Sequence, residues 1–360
     1  MNFRHAARSA LLSPVLLCAA LPLQGRQAAP QASPAPTLTI QAQLVNLPVV
    51  VRDKNGALVT TLNKDEFSLQ VDGRQQPIRY FDRDNNLPLT LGLLADTSGS
   101  VRSALDDERA ASEAFLDQMV TSPAGRAPDQ AFLIEFAHQV DLLQDLTPSV
   151  PKLRAALNKV GDERRDDAQN GGNSGYGGYG HGRGFRGGTT LYDAIYLGST
   201  DLMQKQQGRK AIVVLTDGED RGSMETLNSA IAAAQRAETV VYAIYFKGRQ
   251  YVHGGYGHGG FGGRGDYPGG GGRGGEQHVD GRKVLDEIAK ETGGRMFEVS
   301  GKQTFAGIYT QIGEELRSQY RLGYVPDAAA AAAGFHRVQL TLRNDRKFSI
   351  QTRGGYYGGE

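Results

Sequence analysis

Leu89-Thr90-Leu91-Gly92-Leu93-Leu94-Ala95-Asp96-Thr97-Ser98-Gly99-Ser100 is the stretch that decides the fold. Its first seven residues form a short, nearly continuous apolar run, which predicts a strand buried on both faces. The run breaks abruptly into a carboxylate and three hydroxyls. Two further places carry the same kind of oxygen. Thr189 stands in Gly187-Gly188-Thr189-Thr190 and opens a segment with Leu191, Ile195, Gly198 and Leu202 at helical spacing. Asp217 follows a second apolar run, Ala211-Ile212-Val213-Val214-Leu215. Asp96, Ser98, Ser100, Thr189 and Asp217 thus form an oxygen-only set, the chemistry of a hard divalent cation held in an incomplete shell.

In a doubly wound α/β sheet, the carboxyl ends of strands and the amino ends of the following helices share one rim, where ligands bind. Residues distant in sequence can meet there. Phe132-Leu133-Ile134-Glu135-Phe136 and Val240-Val241-Tyr242-Ala243-Ile244-Tyr245-Phe246 are further expected buried strands, alternating with helical segments. On these motifs residues 87–317 resemble a von Willebrand factor type A domain. In that family Asp-x-Ser-x-Ser, a distant Thr and a later Asp make the metal-ion-dependent adhesion site, and all five positions match. The resemblance implies a Rossmann-like fold: a central, mostly parallel sheet with helices on both faces. It also implies that Ser98, Ser100 and Thr189 bind Mg²⁺, or Mn²⁺ or Ca²⁺, through hydroxyls. Asp96 and Asp217 would bind it directly or through water, and an Asp or Glu carboxylate of a partner protein would complete the shell. The bland alternative makes Ser98 or Ser100 the N-cap of a helix carrying Val101, Leu105, Phe115 and Met119.

Short β-rich runs flank this domain. On the N-terminal side, residues 37–86, polar and apolar residues alternate from Thr39 to Leu44, and Pro48-Val49-Val50-Val51 leads to Asn55-Gly56, a hairpin signal. Phe67 to Val71, Asp72-Gly73 and Pro77 to Phe81 repeat the device. On the C-terminal side, residues 318–360, Tyr320 to Val325, Arg337 to Leu342 and Phe348 to Thr352 read as strands. Neither piece is large enough to fold well alone. They are expected to pair into a small β-sandwich-like module into which the α/β domain is inserted. The whole arrangement resembles the von Willebrand factor A-related proteins of acidobacteria. The likeness includes Asp65-Glu66-Phe67, Glu291-Thr292-Gly293-Gly294-Arg295, Ser318 to Tyr324 and Arg353-Gly354-Gly355-Tyr356-Tyr357.

Arg4 and Arg8 precede an apolar stretch from Ala10 to Leu23, the layout of a cleaved secretory signal over residues 1–25, with a Pro/Ala/Ser linker at 26–36. The stretch is too short for a comfortable membrane span, so the expected mature chain is secreted or periplasmic with no integral span. Cys18, the only cysteine, would leave with the signal. The 40 basic and 39 acidic residues nearly cancel, which gives no overall charge to recruit nucleic acid.

Residues 170–188 and 248–275 are glycine-rich insertions with interspersed Tyr, His and Arg, a composition that buries no core and is expected to stay mobile near the metal rim. His181, His253, His258 and His278 lie in or beside them without the spacing of a defined metal site. Arg264-Gly265-Asp266 reads as coincidence in so glycine-rich a segment. Catalysis is not expected. Position 98 is Ser where an aspartyl phosphotransferase would want a second carboxylate, and Thr97-Ser98-Gly99 is no nucleophile elbow. The expected function is therefore metal-dependent adhesion. A structural envelope protein stiffened by a metal is the main alternative, and a metal-dependent hydrolase a weaker one.

Overall fold

The computed structural model describes residues 44–83, 87–101, 104–121, 124–162, 188–246, 280–327, 329–343 and 347–359. The expected signal segment with Cys18, the linker, strand residues 37–43, the four histidines named above, Arg264-Gly265-Asp266 and both glycine-rich insertions apart from Gly188 lie outside these residues.

The apolar run at 89 becomes a strand, and it lies at the centre of a six-stranded sheet. In chain order the first four strands belong to the flanking module: β1 (Val45–Arg52), β2 (Phe67–Val71), β3 (Arg74–Gln76) and β4 (Tyr80–Asp82). The central sheet follows with β5 (Leu89–Asp96), β6 (Gln130–Phe136), β7 (Val140–Thr147), β8 (Arg209–Thr216), β9 (Val240–Tyr245) and β10 (Met296–Glu298). Its spatial order is β10-β9-β8-β5-β6-β7, parallel throughout except for the antiparallel edge strand β7. Every residue of β5 is buried, as its unbroken apolar run requires.

Among the described residues, six helices cover the two faces: α1 (Leu105–Met119), α2 (Val150–Leu157), α3 (Leu191–Leu197), α4 (Leu227–Arg236), α5 (Gly281–Thr292) and α6 (Phe305–Arg317). A π-helical turn, Gly198–Met203, continues α3. Strand alternation divides the core. Leu93, Ala95, Val213 and Leu215 pack with Phe115, Leu116, Leu153, Ile308 and Ile312 of α1, α2 and α6. Leu94, Ile134, Ile212 and Val214 pack with Ala194, Ile195, Ala230, Ala234, Leu285 and Ile288 of α3, α4 and α5. The result is the expected α/β architecture with helices on both faces. No helix among the described residues is long and apolar enough to cross a membrane.

The remaining strands are β11 (Tyr320–Tyr324), β12 (Gly334–Leu342), β13 (Ser349–Gln351) and β14 (Gly355–Gly358). With the N-terminal strands they form two four-stranded sheets, β13-β1-β11-β4 and β14-β12-β2-β3. Both sheets contribute to one core of Leu47, Val49, Phe67, Leu69, Tyr320, Leu322, Tyr324 and Leu340. Asp72-Gly73 makes a tight hairpin, with φ of 50° and 75°, but its returning strand is β3 at Arg74–Gln76 and not the expected Pro77 to Phe81, whose end lies in β4 and pairs with β11. Asn55-Gly56 makes no such hairpin. The Asp53 carboxylate accepts from the N–H groups of Asn55 and Ala57 at 2.8 and 2.9 Å, closing a local loop. The returning chain then makes a single bridge, Arg52 to Leu58, because β1 is flanked on both sides by C-terminal strands.

Close contacts join the module to the α/β domain. Arg52 of β1 ion-pairs with Glu315 of α6, which is 1% exposed, and Arg295 reaches the same carboxylate at 3.1 Å. Buried Arg353 donates to the carbonyls of Asn46 and Gln235 at 2.6 and 3.3 Å. Gly293, the left-handed cap of α5, sits so close that a Cβ there would lie 2.7 Å from Arg353 N. Gly354 N–H donates to Glu291 O at 3.1 Å. The sequence motifs around Gly293 and Arg353 are therefore the two halves of one junction.

Candidate metal centre

The strand order reverses between β5 and β8, and at the carboxyl ends of such a pair α/β sheets bind their ligands. Asp96 ends β5, Thr216 ends β8 and Asp217 follows it. Asp96 is fully buried. Its Oδ1 accepts Ser98 N–H at 2.8 Å and its Oδ2 accepts the Thr216 hydroxyl at 2.6 Å. Burial pushes its pKa up to about 6; the bonds from Thr216 and Ser98 oppose that rise, while the nearby charge of Asp217 adds to it. No Lys or Arg side chain bonds this carboxylate among the described residues.

Ser98 is buried and Ser100 exposed, with their hydroxyls 3.1 Å apart. Among the described residues neither caps α1, whose N-cap is Ala104. Instead Val101 N–H donates to Ser98 O at 3.3 Å and turns the chain sharply. Thr97 N–H donates to Phe136 O at 2.9 Å, fastening this loop to the end of β6.

Thr189 reaches the same rim through its neighbours. Gly188 N–H donates to His138 Nδ1 at 2.9 Å, Thr190 N–H to Ala137 O at 2.8 Å and Arg221 N–H to Thr189 O at 2.9 Å. The segment is thereby laced both to the β6 end and to the loop after Asp217. That loop is held in turn by the first turn of α3, where Asp193 accepts from Met224 and Glu225 N–H, and by Asp220, which accepts from Tyr192 N–H and Ser223 Oγ. Asp217 is half-buried and accepts Glu219 N–H at 3.1 Å. Gly218, at φ +74°, packs against Gly281 at the start of α5; a Cβ on Gly218 would stand 2.3 Å from Gly281 O. Only glycine fits at that approach.

The donor set fits a hard cation on two observations. Cis oxygens of an octahedron with 2.0–2.1 Å bonds lie about 2.9 Å apart, close to the separation of the Ser98 and Ser100 hydroxyls. Asp96 is a desolvated carboxylate with no cationic partner among the described residues, the environment in which a bound cation gains most. No cluster of three or more His, Cys, Asp or Glu exists among the described residues.

Sequence reasoning overlooked Thr216, whose signal is a lone hydroxyl at the end of an apolar strand, on the same face as Val214 and next to Asp217. The His138 ring accepts Gly188 N–H. Ser98 Oγ lies 3.1 Å from Ser100 Oγ, a neutral hydroxyl that does not activate a nucleophile.

Residues 91–219 match the family of the von Willebrand factor type A domain. Comparison with curated proteins gives no match. Similar solved structures include proximal thread matrix protein 1 from the mussel byssus, at 15% identity over 66% of this chain and 47% of that one, TM-score 0.41. The mussel protein has also been solved with a zinc-occupied MIDAS motif. BatB from Bacteroides thetaiotaomicron matches at 17% identity over 63% of this chain and 97% of that one, TM-score 0.41. The vWF domain of the type V pili tip protein Mfa5 from Porphyromonas gingivalis matches at 10% identity over 64% of this chain and 95% of that one, TM-score 0.39. The chain thus spans about half the length of the mussel protein and nearly all of the two bacterial domains. With the family match over the strands that build the rim, and a sheet order and helix layering that agree with it, the chain carries a von Willebrand factor type A domain.

Proposed function

We propose that this is an exported, metal-dependent protein-binding module. Asp96, Ser98, Ser100, Thr189 and Asp217 hold a divalent cation, Mg²⁺ first with Mn²⁺ or Ca²⁺ as alternatives, and an Asp or Glu of a partner protein approaches it from outside. The observation that carries the reading is the convergence of a buried, cation-free carboxylate with closely spaced serine hydroxyls at the strand reversal of the sheet. When bound, the cation supplies a Lewis-acidic position for the partner's carboxylate. The chain's own residues orient that position: the Ser98 loop is fastened to Phe136, and Thr189 is laced between Ala137 and Arg221. Those bonds already fix the rim, which argues against a metal whose task is only to stiffen it. The engagement of His138 with Gly188 argues for binding rather than hydrolysis. Export is proposed from the Arg4, Arg8 and Ala10 to Leu23 pattern.

The test is a display selection of acidic peptides on the full chain in Mn²⁺. Binding of a selected peptide should vanish in EDTA, in Asp96→Ala and when the peptide's Asp is changed to Asn. Peptide affinity indifferent to EDTA would overturn the reading.

A further inference from the structure

Thr216 is fully buried at the end of β8 and is not among the five residues read as ligands. Its main-chain carbonyl is used by Phe246 N–H at 3.2 Å, so the sheet occupies its backbone and leaves the side chain to the rim. Thr216 Oγ1 accepts Gly218 N–H at 3.1 Å. The hydroxyl has one proton to give, and Asp96 Oδ2 at 2.6 Å takes it. The directions of the chain of bonds are thereby set: Gly218 N–H to Thr216 Oγ1, then Thr216 O–H to Asp96 Oδ2.

The other Asp96 oxygen is held by Ser98 N–H at 2.8 Å. Donors from two separate strand ends therefore grip the two carboxylate oxygens, and the group cannot turn about Cβ–Cγ without breaking one bond. A hydrogen bond to an ionised acceptor is about twice as strong as a neutral one. The same hydroxyl also holds the N–H of the residue after Asp217. One side chain thus sets the geometry of two ligand loops that belong to different strands.

We propose that Thr216 is the positioning residue of the metal centre: its hydroxyl fixes the carboxylate plane of Asp96 and, through Gly218, the turn that carries Asp217. This rests on the reading of the five-residue set as a cation site. Partners that orient metal ligands from outside the shell typically change metal affinity by about 10–100-fold when removed.

The experiment measures Mn²⁺ affinity of the full chain by titration calorimetry, with unfolding in EDTA recorded on the same samples. Thr216→Val keeps the volume and deletes the hydroxyl; Thr216→Ser keeps the hydroxyl and deletes the methyl. The Val variant should lose about 10–100-fold in affinity and the Ser variant less than about threefold. Both should unfold cooperatively in EDTA. A Val variant that binds Mn²⁺ like the parent overturns the proposal. Equal losses in Val and Ser do so as well, since packing would then explain the effect. Should the Val variant not fold, Thr216→Cys substitutes a weak donor of similar size, and its affinity must fall between Ser and the complete loss of the bond; undiminished affinity overturns the proposal. A parent chain that binds no Mn²⁺ sinks the cation reading itself, an outcome distinct from failure of Thr216 alone.

Discussion

Replacing Asp96 with Asn should stabilise the metal-free protein while removing its metal binding. The carboxyl's pKa rises from 3.8 to about 6, chiefly because burial penalises the charged form. At about 1.4 kcal/mol per pH unit, keeping Asp96 ionised at neutral pH costs the fold about 3 kcal/mol. The sign follows from linkage. The folded state holds this proton more tightly than the unfolded state, so stability is lost as pH rises from about 4 through about 6. Asn resembles the protonated carboxyl, with one acceptor and one donor edge, and is free of that penalty. Urea unfolding in EDTA should therefore find Asp96→Asn more stable by about 3 kcal/mol at pH 7 and nearly equal to the parent at pH 4. With cation at about 100 times its dissociation constant the parent regains about 2.7 kcal/mol, and the variant gains nothing. A variant less stable than the parent at pH 7, or an advantage that persists unchanged at pH 4, would refute the reasoning.

Further substitutions test other parts of the structure. Gly218→Ala must move the backbone it meets at Gly281 O, 2.3 Å away, and should lower Mn²⁺ affinity by about tenfold or more in calorimetry with the sheet intact. Glu315→Ala leaves the buried Arg52 without its carboxylate at the junction and should lower stability in urea unfolding by about 3 kcal/mol; a change below about 1 kcal/mol would mean the pair is solvated. His336 faces two acceptors, Asp72 Oδ2 at 2.8 Å and Ala332 O at 2.9 Å, which only the imidazolium can satisfy together. Burial opposes that charge, yet the Ala332 carbonyl and the Asp72 carboxylate outweigh it and raise the pKa. The clamp's contribution is thus present below about pH 6.5 and lost as pH rises through the raised value, and His336→Phe should flatten that dependence of the melting temperature. Truncation after Arg317 removes β11 and β13 from both sides of β1 and β12 from beside β2. Residues 44–83 should then aggregate, while the central domain still melts cooperatively; a monomeric, soluble N-terminal piece would contradict this.

The glycine and ion-pair predictions show where local reading stops. The apolar runs at 89–95 and 211–215 had one physical solution, a strand buried on both faces, and the polar residues ending them had to stand at the rim of the sheet. The partners of β1 were not legible in the same way. Its Pro48-Val49-Val50-Val51 run read as β-rich, but pairing with β11 and β13 depends on chain segments more than 250 residues away, and the Asn55-Gly56 signal pointed to a nearer neighbour. Gly293-Gly294 and Arg353-Gly354 were visible as motifs, whereas their mutual contact was not: a glycine that makes room for another backbone carries no mark of which backbone it is.

The sequence by itself determined the layered α/β class and the positions of its buried strands, because side-chain periodicity is a local property; it also held the oxygen-only set Asp96, Ser98, Ser100, Thr189 and Asp217 on which the proposed cation site rests. Only the tertiary structure decided that β5 and β8 lie side by side, and so that Thr216, an unremarked residue at a strand end, holds Asp96 from the neighbouring strand. The reason is directional: a hydrogen bond of 2.6 Å depends on which strands are neighbours and in what register, and that is settled by packing of the whole domain.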